Sequence, residues 1–495
     1  MKNYILSIDQ GTTSCRAIVF DKTGKTIAVG QKEFTQSFPQ PGWVEHDAEE
    51  ILATQLECIK EAIKKAGVNA DEIACVGITN QRETTVVWNK KTGKPVYPAI
   101  VWQCRRTQKL AEELRGKSDE FREKTGLVPD AYFSGPKIRW ILDNVNGARK
   151  LANDGELAFG TIDSWLIWNL TSEKNHFTEP SNASRTMLYN IRTMEWDDHL
   201  LSQLEIPKTM MPQVIPSNGN FGHTDEKLVG FKAPIRANLG DQQAALFGQC
   251  CFDTGMGKCT YGTGSFLLTN IGTEVKLVPG LLTTVAWHLE GKAPTYAFEG
   301  AIFVAGAAIQ WLRDGLGIIE SSADTQKLAE SLESNEGVFF VPAFVGLGSP
   351  YWNSDVRGTI VGLTRGTTRA HFARAALESM AFQIADVARD MSKHGISIKE
   401  LRVDGGATRN DFMVQFQADL LKVPVIRSAQ TESTAWGVGA LAALSCGLVK
   451  DFAELSADWQ LDSKIMPQVD RAKDYEGWQA AIRGAFAVAE HQSHM

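Results

Sequence analysis

The chain has 495 residues, more than one ordinary hydrophobic core can organise, so two large domains are expected. Its charged fraction of 22% is that of a globular protein, and its net charge of −7 disfavours nucleic acid as a partner, because phosphate backbones need basic patches. The eight cysteines include no C-x-x-C pair and the N-terminus has no signal-peptide pattern, which predicts a cytoplasmic protein without stable membrane insertion.

The first 90 residues alternate strands with one helix. Apolar runs predict strands at 4–9, 15–20 and 26–34, and an amphipathic pattern predicts a helix over 48–66. Further strands are expected at 73–79 and 84–88. This order predicts an α/β domain built on a mixed sheet.

A turn between the first two strands carries the residues Asp9-Gln10-Gly11-Thr12-Thr13-Ser14-Cys15-Arg16. Small, hydroxylated residues in a tight turn offer clustered N–H and O–H donors, which suit a phosphate group. Asp9 adds a hard oxygen ligand that suits Mg²⁺ beside that phosphate. A plain β-hairpin explains the same segment equally well, since Gly-Thr-Thr is ordinary turn chemistry.

Candidate acceptor-binding residues also lie in the first half of the chain. Arg82 and Glu83 place opposite charges side by side at a strand junction, and Trp102 and Tyr132 fall in nearby polar and aromatic stretches. Asp241 ends a predicted strand, where α/β sheets place functional groups, and its carboxylate could act as a general base. Taken singly, the charged pair could lie on the surface and Asp241 could be a helix N-cap.

Two further glycine turns mark the second half, which follows a turn-rich crossing near residue 253. The segment 261–265 repeats the opening pattern of strand, Gly-Thr-Gly turn and strand. In a third turn, Gly406 could approach a flat ring because no Cβ intervenes, and Asn410, one turn into the next helix, could bond a base edge. Gly306 and Gln310 share one helix face. The repeated turns predict a nucleotide held between two related domains, although ordinary packing explains each glycine alone.

The glycine pattern Gly437-Val438-Gly439-Ala440-Leu441-Ala442 has the spacing of a dinucleotide-binding fingerprint. It lacks the preceding strand and lies in an Ala-rich helical segment, so close packing of that helix is the preferred interpretation.

Taken in chain order, these segments resemble the FGGY carbohydrate kinases of the actin/sugar kinase/Hsp70 superfamily. The resemblance extends from Tyr4 to about Leu448 and includes Gly42–His46, Gly160–Trp165, Ser181–Thr186, Tyr132–Asn144 and Gly358–Glu378. It implies two α/β domains of ribonuclease H-like (actin-like ATPase) fold, with mixed sheets flanked by helices and an active site in the interdomain cleft. The implied boundaries are 1–252 for the polyol-binding domain, 253–450 for the adenosine-binding domain and 451–495 for a C-terminal helical tail.

The resemblance also implies an activity, ATP-dependent and Mg²⁺-dependent phosphorylation of a polyol. The run Asn80-Gln81-Arg82-Glu83 favours glycerol, giving sn-glycerol 3-phosphate as the first step of glycerol catabolism. A homodimer or homotetramer is expected. Another FGGY sugar or polyol kinase is the alternative, and an actin- or Hsp70-like ATPase is a more distant one.

Roles for individual residues follow from the same resemblance. Asp241 is the implied catalytic base, and Asp9 is implied to organise Mg²⁺, partly through water. The implied glycerol ligands are Arg82, Glu83, Trp102, Tyr132, Asp241, Gln242 and Phe266. The implied ATP or ADP ligands are Thr12, Thr13, Ser14, Arg16, Thr263, Gly306, Gln310, Gly406 and Asn410.

Overall fold

A computed structural model describes residues 3–493 and shows two α/β domains facing each other across a cleft. The first domain is built on a five-stranded mixed sheet with the spatial order β5-β4-β1-β2-β3. Its strands are β1 Tyr4–Gln10, β2 Ser14–Asp21, β3 Thr26–Glu33, β4 Ile73–Asn80 and β5 Ile235–Gly240. β1, β2 and β3 form an antiparallel meander, whereas β4 and β5 run parallel to β1.

The second domain repeats this arrangement in a seven-stranded sheet with the order β8-β9-β7-β6-β10-β11-β12. Its strands are β6 Met256–Tyr261, β7 Ser265–Gly272, β8 Leu282–Trp287, β9 Thr295–Ile302, β10 Glu400–Asp404, β11 Val425–Ser428 and β12 Leu461–Ile465. β6, β7 and β9 are antiparallel neighbours, and β10 and β11 run parallel to β6. The same strand pattern in both sheets agrees with the predicted pair of related domains.

Helices cover the faces of both sheets. The main ones are α1 Ala48–Ala66, α2 Ser134–Asn144, α3 Ile162–Leu170, α4 Asp241–Gly248, α5 Gly306–Gln310, α6 Arg369–Lys393, α7 Asp411–Leu421, α8 Ser433–Ser445 and α9 Ala472–Ser493. Shorter helices span Gln108–Glu113, Ser118–Thr125, Ala148–Asn153, Pro180–Ala183, Asp198–Gln203, Glu226–Val229, Asp324–Glu330 and Phe452–Asp458. No helix in the part of the chain that the structure describes has the length and apolar character needed to cross a bilayer.

Local sequence explains the bounds of α1. The Asp47 side chain accepts hydrogen bonds from the backbone N–H groups of Glu49 and Glu50, a cap that contributes about 1 kcal/mol. Gly67 ends the helix in the left-handed conformation, with φ of 64°. The helix packs closely on β3, because a Cβ at Gly30 would lie 2.2 Å from the carbonyl oxygen of Cys58.

Helices α4 and α8 form the layer between the two sheets. They pack backbone to backbone, since a Cβ at Gly437 would lie 1.8 Å from the Ala244 carbonyl oxygen and one at Gly248 would lie 2.1 Å from that of Ser433. A Cβ at Gly439 would meet the Ser7 hydroxyl oxygen of β1 at 2.6 Å. The predicted packing role of the Gly437–Ala442 pattern is therefore confirmed. α8 follows β11 of the second sheet in sequence, yet it lies against the first.

Three predicted elements differ from the structure. The strand expected at 84–88 is Val86–Asn89, and it pairs with Leu157–Gly160 outside the main sheet. The tail predicted to be helical also contributes β12 to the second sheet. Asn410 is not one turn into α7 but is its N-cap, because a 3₁₀ turn at Gly406–Arg409 delays the start of the helix.

Candidate active site

The predicted acceptor and phosphate residues meet in the cleft between the two domains, a cavity of about 1060 Å³. The first domain contributes one wall and the Gly262–Gly264 turn of the second domain contributes part of the other. The predicted site residues that line this cavity are Thr12, Thr13, Arg82, Glu83, Trp102, Tyr132, Asp241, Gln242, Thr263 and Phe266.

The first turn joins β1 to β2 as a hairpin closed by a hydrogen bond from the Gly11 N–H to the Ser14 carbonyl at 3.0 Å. Asp9 is buried at the end of β1 and is paired with Arg16 on β2. The other guanidinium nitrogen of Arg16 lies 2.5 Å from a carboxylate oxygen of Glu432, which precedes α8. Arg16 thus links the turn to the chain entering α8.

Arg82 and Glu83 are both 2% exposed, so the surface-pair interpretation is wrong. Arg82 lies against β5, where a Cβ at Gly240 would come within 2.6 Å of its Cγ. Its Nε lies 3.1 Å from Oδ1 of Asp241, and its Nη1 donates to Glu299 at 2.5 Å. Glycine at position 240 therefore provides the room that brings the arginine beside the aspartate.

Asp241 is the first residue of α4, and Gly240 occupies the N-cap position, so the N-cap interpretation is wrong. Its Oδ1 accepts a hydrogen bond from the Gln242 N–H at 2.7 Å. Burial raises the pKa of Asp241 to about 6, although the neighbouring Arg82 opposes the shift. The group is mostly ionised at neutral pH and has the basicity expected of a general base.

Aromatic side chains form the wall beside these charges. The rings of Trp102 and Tyr132 lie 5.7 Å apart between centroids, and those of Trp102 and Phe266 lie 6.3 Å apart. The Trp102 Nε1–H donates to the Thr12 hydroxyl at 3.0 Å, which connects this wall to the first turn. Burial raises the pKa of Tyr132 well above its ordinary value, so its phenol stays protonated and can donate a hydrogen bond.

The second-domain turns converge on Gly262. The Gly262 N–H donates to the Gly264 carbonyl at 2.9 Å, and the Gly306 N–H donates to the Gly262 carbonyl at 3.0 Å. A Cβ at Gly405 would lie 2.4 Å from the Tyr261 carbonyl oxygen, whereas one at Gly406 would meet nothing within 4 Å. The backbone at Gly406 is thus open to a ligand, as the sequence predicts.

The predicted adenosine ligands on the helices differ in availability. Gln310, at the end of α5, is exposed. Asn410 is occupied within the protein, because its Oδ1 accepts from the Met413 N–H at 3.0 Å and its Nδ2 lies 3.2 Å from the Thr325 hydroxyl.

Four charged residues near the cleft were missed by the sequence reasoning: Arg185, Lys258, Glu299 and Glu432. Glu299 could have been found as a lone carboxylate within the apolar strand β9, because buried charges are rare unless they are paired. Lys258 on β6 donates to the Gln242 side chain and to the Thr260 hydroxyl. Burial lowers the pKa of Lys258, opposed by nearby Asp404.

Only hard oxygen ligands are offered to a divalent cation here. Asp9, which is buried at the end of β1, is the carboxylate to which the sequence assigns this role. Within residues 3–493 there is no group of three or more His, Cys, Asp or Glu side chains arranged to hold a metal ion. This donor set fits Mg²⁺, which typically binds through one or two carboxylates together with water and substrate phosphates.

Comparisons with known proteins match nearly the whole chain. The N-terminal domain of the FGGY family of carbohydrate kinases matches residues 4–248, and its C-terminal domain matches residues 257–446. The expected boundary at 252/253 falls between the two matched segments. A protein from Bacillus subtilis (strain 168) named glycerol kinase is 55% identical over 495 residues, covering 98% of this chain and 100% of that protein.

Solved structures share the fold. The crystal structure of Plasmodium falciparum glycerol kinase with ADP has a TM-score of 0.92 and 36% identity, covering 98% of each chain. Gluconate kinase from Lactobacillus acidophilus has a TM-score of 0.88 at 21% identity, covering 99% of this chain and 98% of that one. The second likeness shows the two-domain fold alone. The family matches and the identity to these relatives together establish that the chain belongs to the FGGY family of carbohydrate kinases.

Proposed function

We propose that the protein phosphorylates glycerol with ATP to give sn-glycerol 3-phosphate. The observation that carries the proposal is a set of charges beside an aromatic wall: buried Arg82 and Glu83 lie next to half-buried Asp241. Trp102 in that wall donates a hydrogen bond to Thr12 of the first turn. The names of the Bacillus subtilis and Plasmodium falciparum relatives support the same acceptor.

The two sides of the pocket suit the two faces of glycerol. Arg82 and Tyr132 can donate hydrogen bonds to hydroxyl oxygens, while Glu83 can accept from hydroxyl protons. Trp102 and Phe266 offer apolar surface to the carbon edge of the molecule. Because Arg82 and Glu83 are already desolvated and are held by Glu299 and Arg185, glycerol would gain their hydrogen bonds at little further desolvation cost.

In the transfer step, a terminal hydroxyl oxygen of glycerol attacks the γ-phosphorus of ATP. The new O–P bond forms as the bond to the β,γ-bridging oxygen breaks, ADP leaves, and the hydroxyl proton passes to the Asp241 carboxylate. Positioning and charge stabilisation are expected to supply most of the rate, since phosphoryl transfer asks little covalent chemistry of the protein. Closure of the cleft would exclude water, which competes as an acceptor.

Phosphate binding is assigned to the two facing turns. Thr12, Thr13 and Ser14 would bind from the first domain and Thr263 from the second, using hydroxyl and backbone donors. Arg16 would exchange its contact with Glu432 for a phosphate oxygen.

Nucleoside binding and the metal complete the proposal. Gly306 and Gly406 would lie against the adenosine, with Gln310 and Asn410 at its polar edge. Asn410 would have to add the ligand to the contacts it already makes. Asp9 would hold Mg²⁺ through water, and when bound this ion would neutralise phosphate charge.

A panel of acceptors tests the proposal. Purified protein with Mg²⁺ and ATP is expected to release ADP in proportion to added glycerol and to form sn-glycerol 3-phosphate. A rate that rises with a pentulose or gluconate but not with glycerol would mean that the protein is another sugar kinase, with that compound as its acceptor. ADP release that no polyol changes would instead favour an ATPase, in which the nucleotide drives binding rather than transfer.

A further inference from the structure

Glu299 extends from the second domain into the charged pocket of the first. It lies on β9 and is fully buried. Its Oε2 accepts from Nη1 of Arg82 at 2.5 Å, and its Oε1 accepts from Nη2 of Arg82 at 3.2 Å. The Oε1 also accepts from Nη2 of Arg185 at 2.8 Å. One carboxylate therefore binds the forked end of Arg82 and a second buried arginine.

We propose that Glu299 is a positioning residue for phosphoryl transfer: it holds the fork of Arg82 away from Asp241, so that the base is paired through one nitrogen only. This inference rests on the proposed function, because it assigns the purpose of Arg82 and Asp241 in that reaction. It makes the acceptor site dependent on a residue from the opposite domain.

The geometry of the guanidinium group supports this role. An arginine fork and a carboxylate form their strongest pair through two parallel N–H···O bonds. In this protein that arrangement belongs to Arg82 and Glu299, which leaves Nε of Arg82 for Asp241 at 3.1 Å. Both contacts to Asp241, from Arg82 and from the Gln242 N–H, fall on Oδ1. We therefore assign the other oxygen, Oδ2, as the atom that accepts the glycerol proton.

Charge balance leads to the same conclusion. Arg185 donates from Nε to Glu83 at 2.7 Å as well as to Glu299, so two arginines and two glutamates form a neutral buried set. The charge of Asp241 is therefore not required to neutralise the two arginines. Without the charge of Glu299, the two arginines would face only one glutamate. The guanidinium group of Arg82 would then turn to form a two-bond pair with Asp241.

The electrostatic surroundings of Asp241 make this role measurable. The charged groups that act on Asp241 are Arg82 and Glu83 from the loop after β4 and Lys258 from β6. A forked ion pair with Arg82 would stabilise the ionised form of Asp241 and lower its proton affinity. Loss of Glu299 should therefore move the pH dependence of catalysis, whereas a residue that only docks the domains should not.

The test compares Glu299→Gln in the full-length protein with the unchanged protein. We expect kcat to fall about tenfold or more and KM to rise for glycerol but stay within about twofold for ATP. The acid limb of the pH profile of kcat/KM for glycerol should move down by at least about half a pH unit. The matched control is Glu378→Gln, which removes a buried partner of Arg374 in α6 outside the cleft. This control substitution should leave the acid limb at the same pH as in the unchanged protein.

Two further outcomes keep the test decisive. If Glu299→Gln does not fold, Glu299→Asp keeps the charge but shortens its reach, and it should raise KM for glycerol without moving the limb. An unmoved limb in Glu299→Gln, or equal losses for both substrates, would overturn the positioning role. Absence of glycerol-dependent turnover in the unchanged protein would instead reject the proposed function.

Discussion

The pH dependence of kcat/KM for glycerol is the sharpest prediction from the site, because this ratio reports the protonation state of the protein before glycerol binds. In the proposed reaction Asp241 must be ionised to accept the glycerol proton, and its pKa is raised to about 6 by burial. The ionised fraction falls from about nine-tenths at pH 7 to about one-tenth at pH 5, so kcat/KM should fall about tenfold over that interval. Activity is thus gained as pH rises through 6 and levels off above about pH 7.

The assay measures initial rates at saturating ATP and Mg²⁺ over a range of glycerol concentrations, with sn-glycerol 3-phosphate quantified in stopped samples so that no coupling enzyme contributes its own pH dependence. Asp241→Asn should lower kcat at pH 7 by at least about 10²-fold and abolish the limb, while ADP binding persists. Asp386 provides the control, because burial also raises its pKa to about 6 and it lies beside Tyr475 and Trp478 of α9.

Two results would refute this reasoning. A kcat/KM for glycerol that stays flat between about pH 5 and about pH 7 in the unchanged protein would mean that the reaction does not require ionised Asp241. Near-normal kcat in Asp241→Asn would mean that the carboxylate only positions the substrate. Loss of the acid limb in Asp386→Asn would mean that the limb reports the titration of Asp386, outside the site, and not that of Asp241.

Three other perturbations test the acceptor pocket, the metal and the interdomain layer. Arg82→Ala should raise KM for glycerol more than KM for ATP in steady-state kinetics, and the opposite order would move Arg82 to the nucleotide. Chelation of Mg²⁺ with EDTA should stop turnover, reversibly and without a shift in Tm; residual activity would exclude the Asp9 assignment. Gly437→Ala should lower the free energy of unfolding by about 1–3 kcal/mol, because its Cβ would lie 1.8 Å from the Ala244 carbonyl oxygen. Gly116→Ala, which meets nothing within 4 Å, is its control in denaturant titrations.

Sequence patterns predicted the features that depend on neighbouring residues. The apolar run before Asp9 and the small residues after it mark a strand and a turn, and a strand followed by a Gly-Thr-Gly turn at 261–265 marks the related turn of the second domain. Strand ends also carry positional meaning, which is why Asp241 could be predicted from its place after β5. The N-cap role of Asn410 could also have been predicted, since Asn before an acidic residue is a common helix start. The 3₁₀ turn that precedes it led the helix to be placed too early.

Features that depend on the opposite domain could not be predicted. Glu299 lies 217 positions from Arg82 in sequence, and nothing local says which arginine it meets. The position of α8 could not be predicted for the same reason. Its glycines indicate close packing but do not indicate that α4 is the helix it packs against. The partners meet only when both sheets are assembled, so the pairing of Glu299 with Arg82 had no signature in any single segment, although the lone carboxylate in β9 did.

The strengths of the interdomain contacts determine where the cleft can open. At its base, separation would break the buried two-bond pair of Arg82 and Glu299. The backbone packing of α4 and α8 lies behind it. At the mouth, Arg105 of the first domain lies over the ring of Phe303 at 5.6 Å, a contact worth about 0.5–1 kcal/mol at an exposed position. Opening at the mouth disrupts the weaker contact, so substrates should enter there while Asp241 and its partners stay assembled.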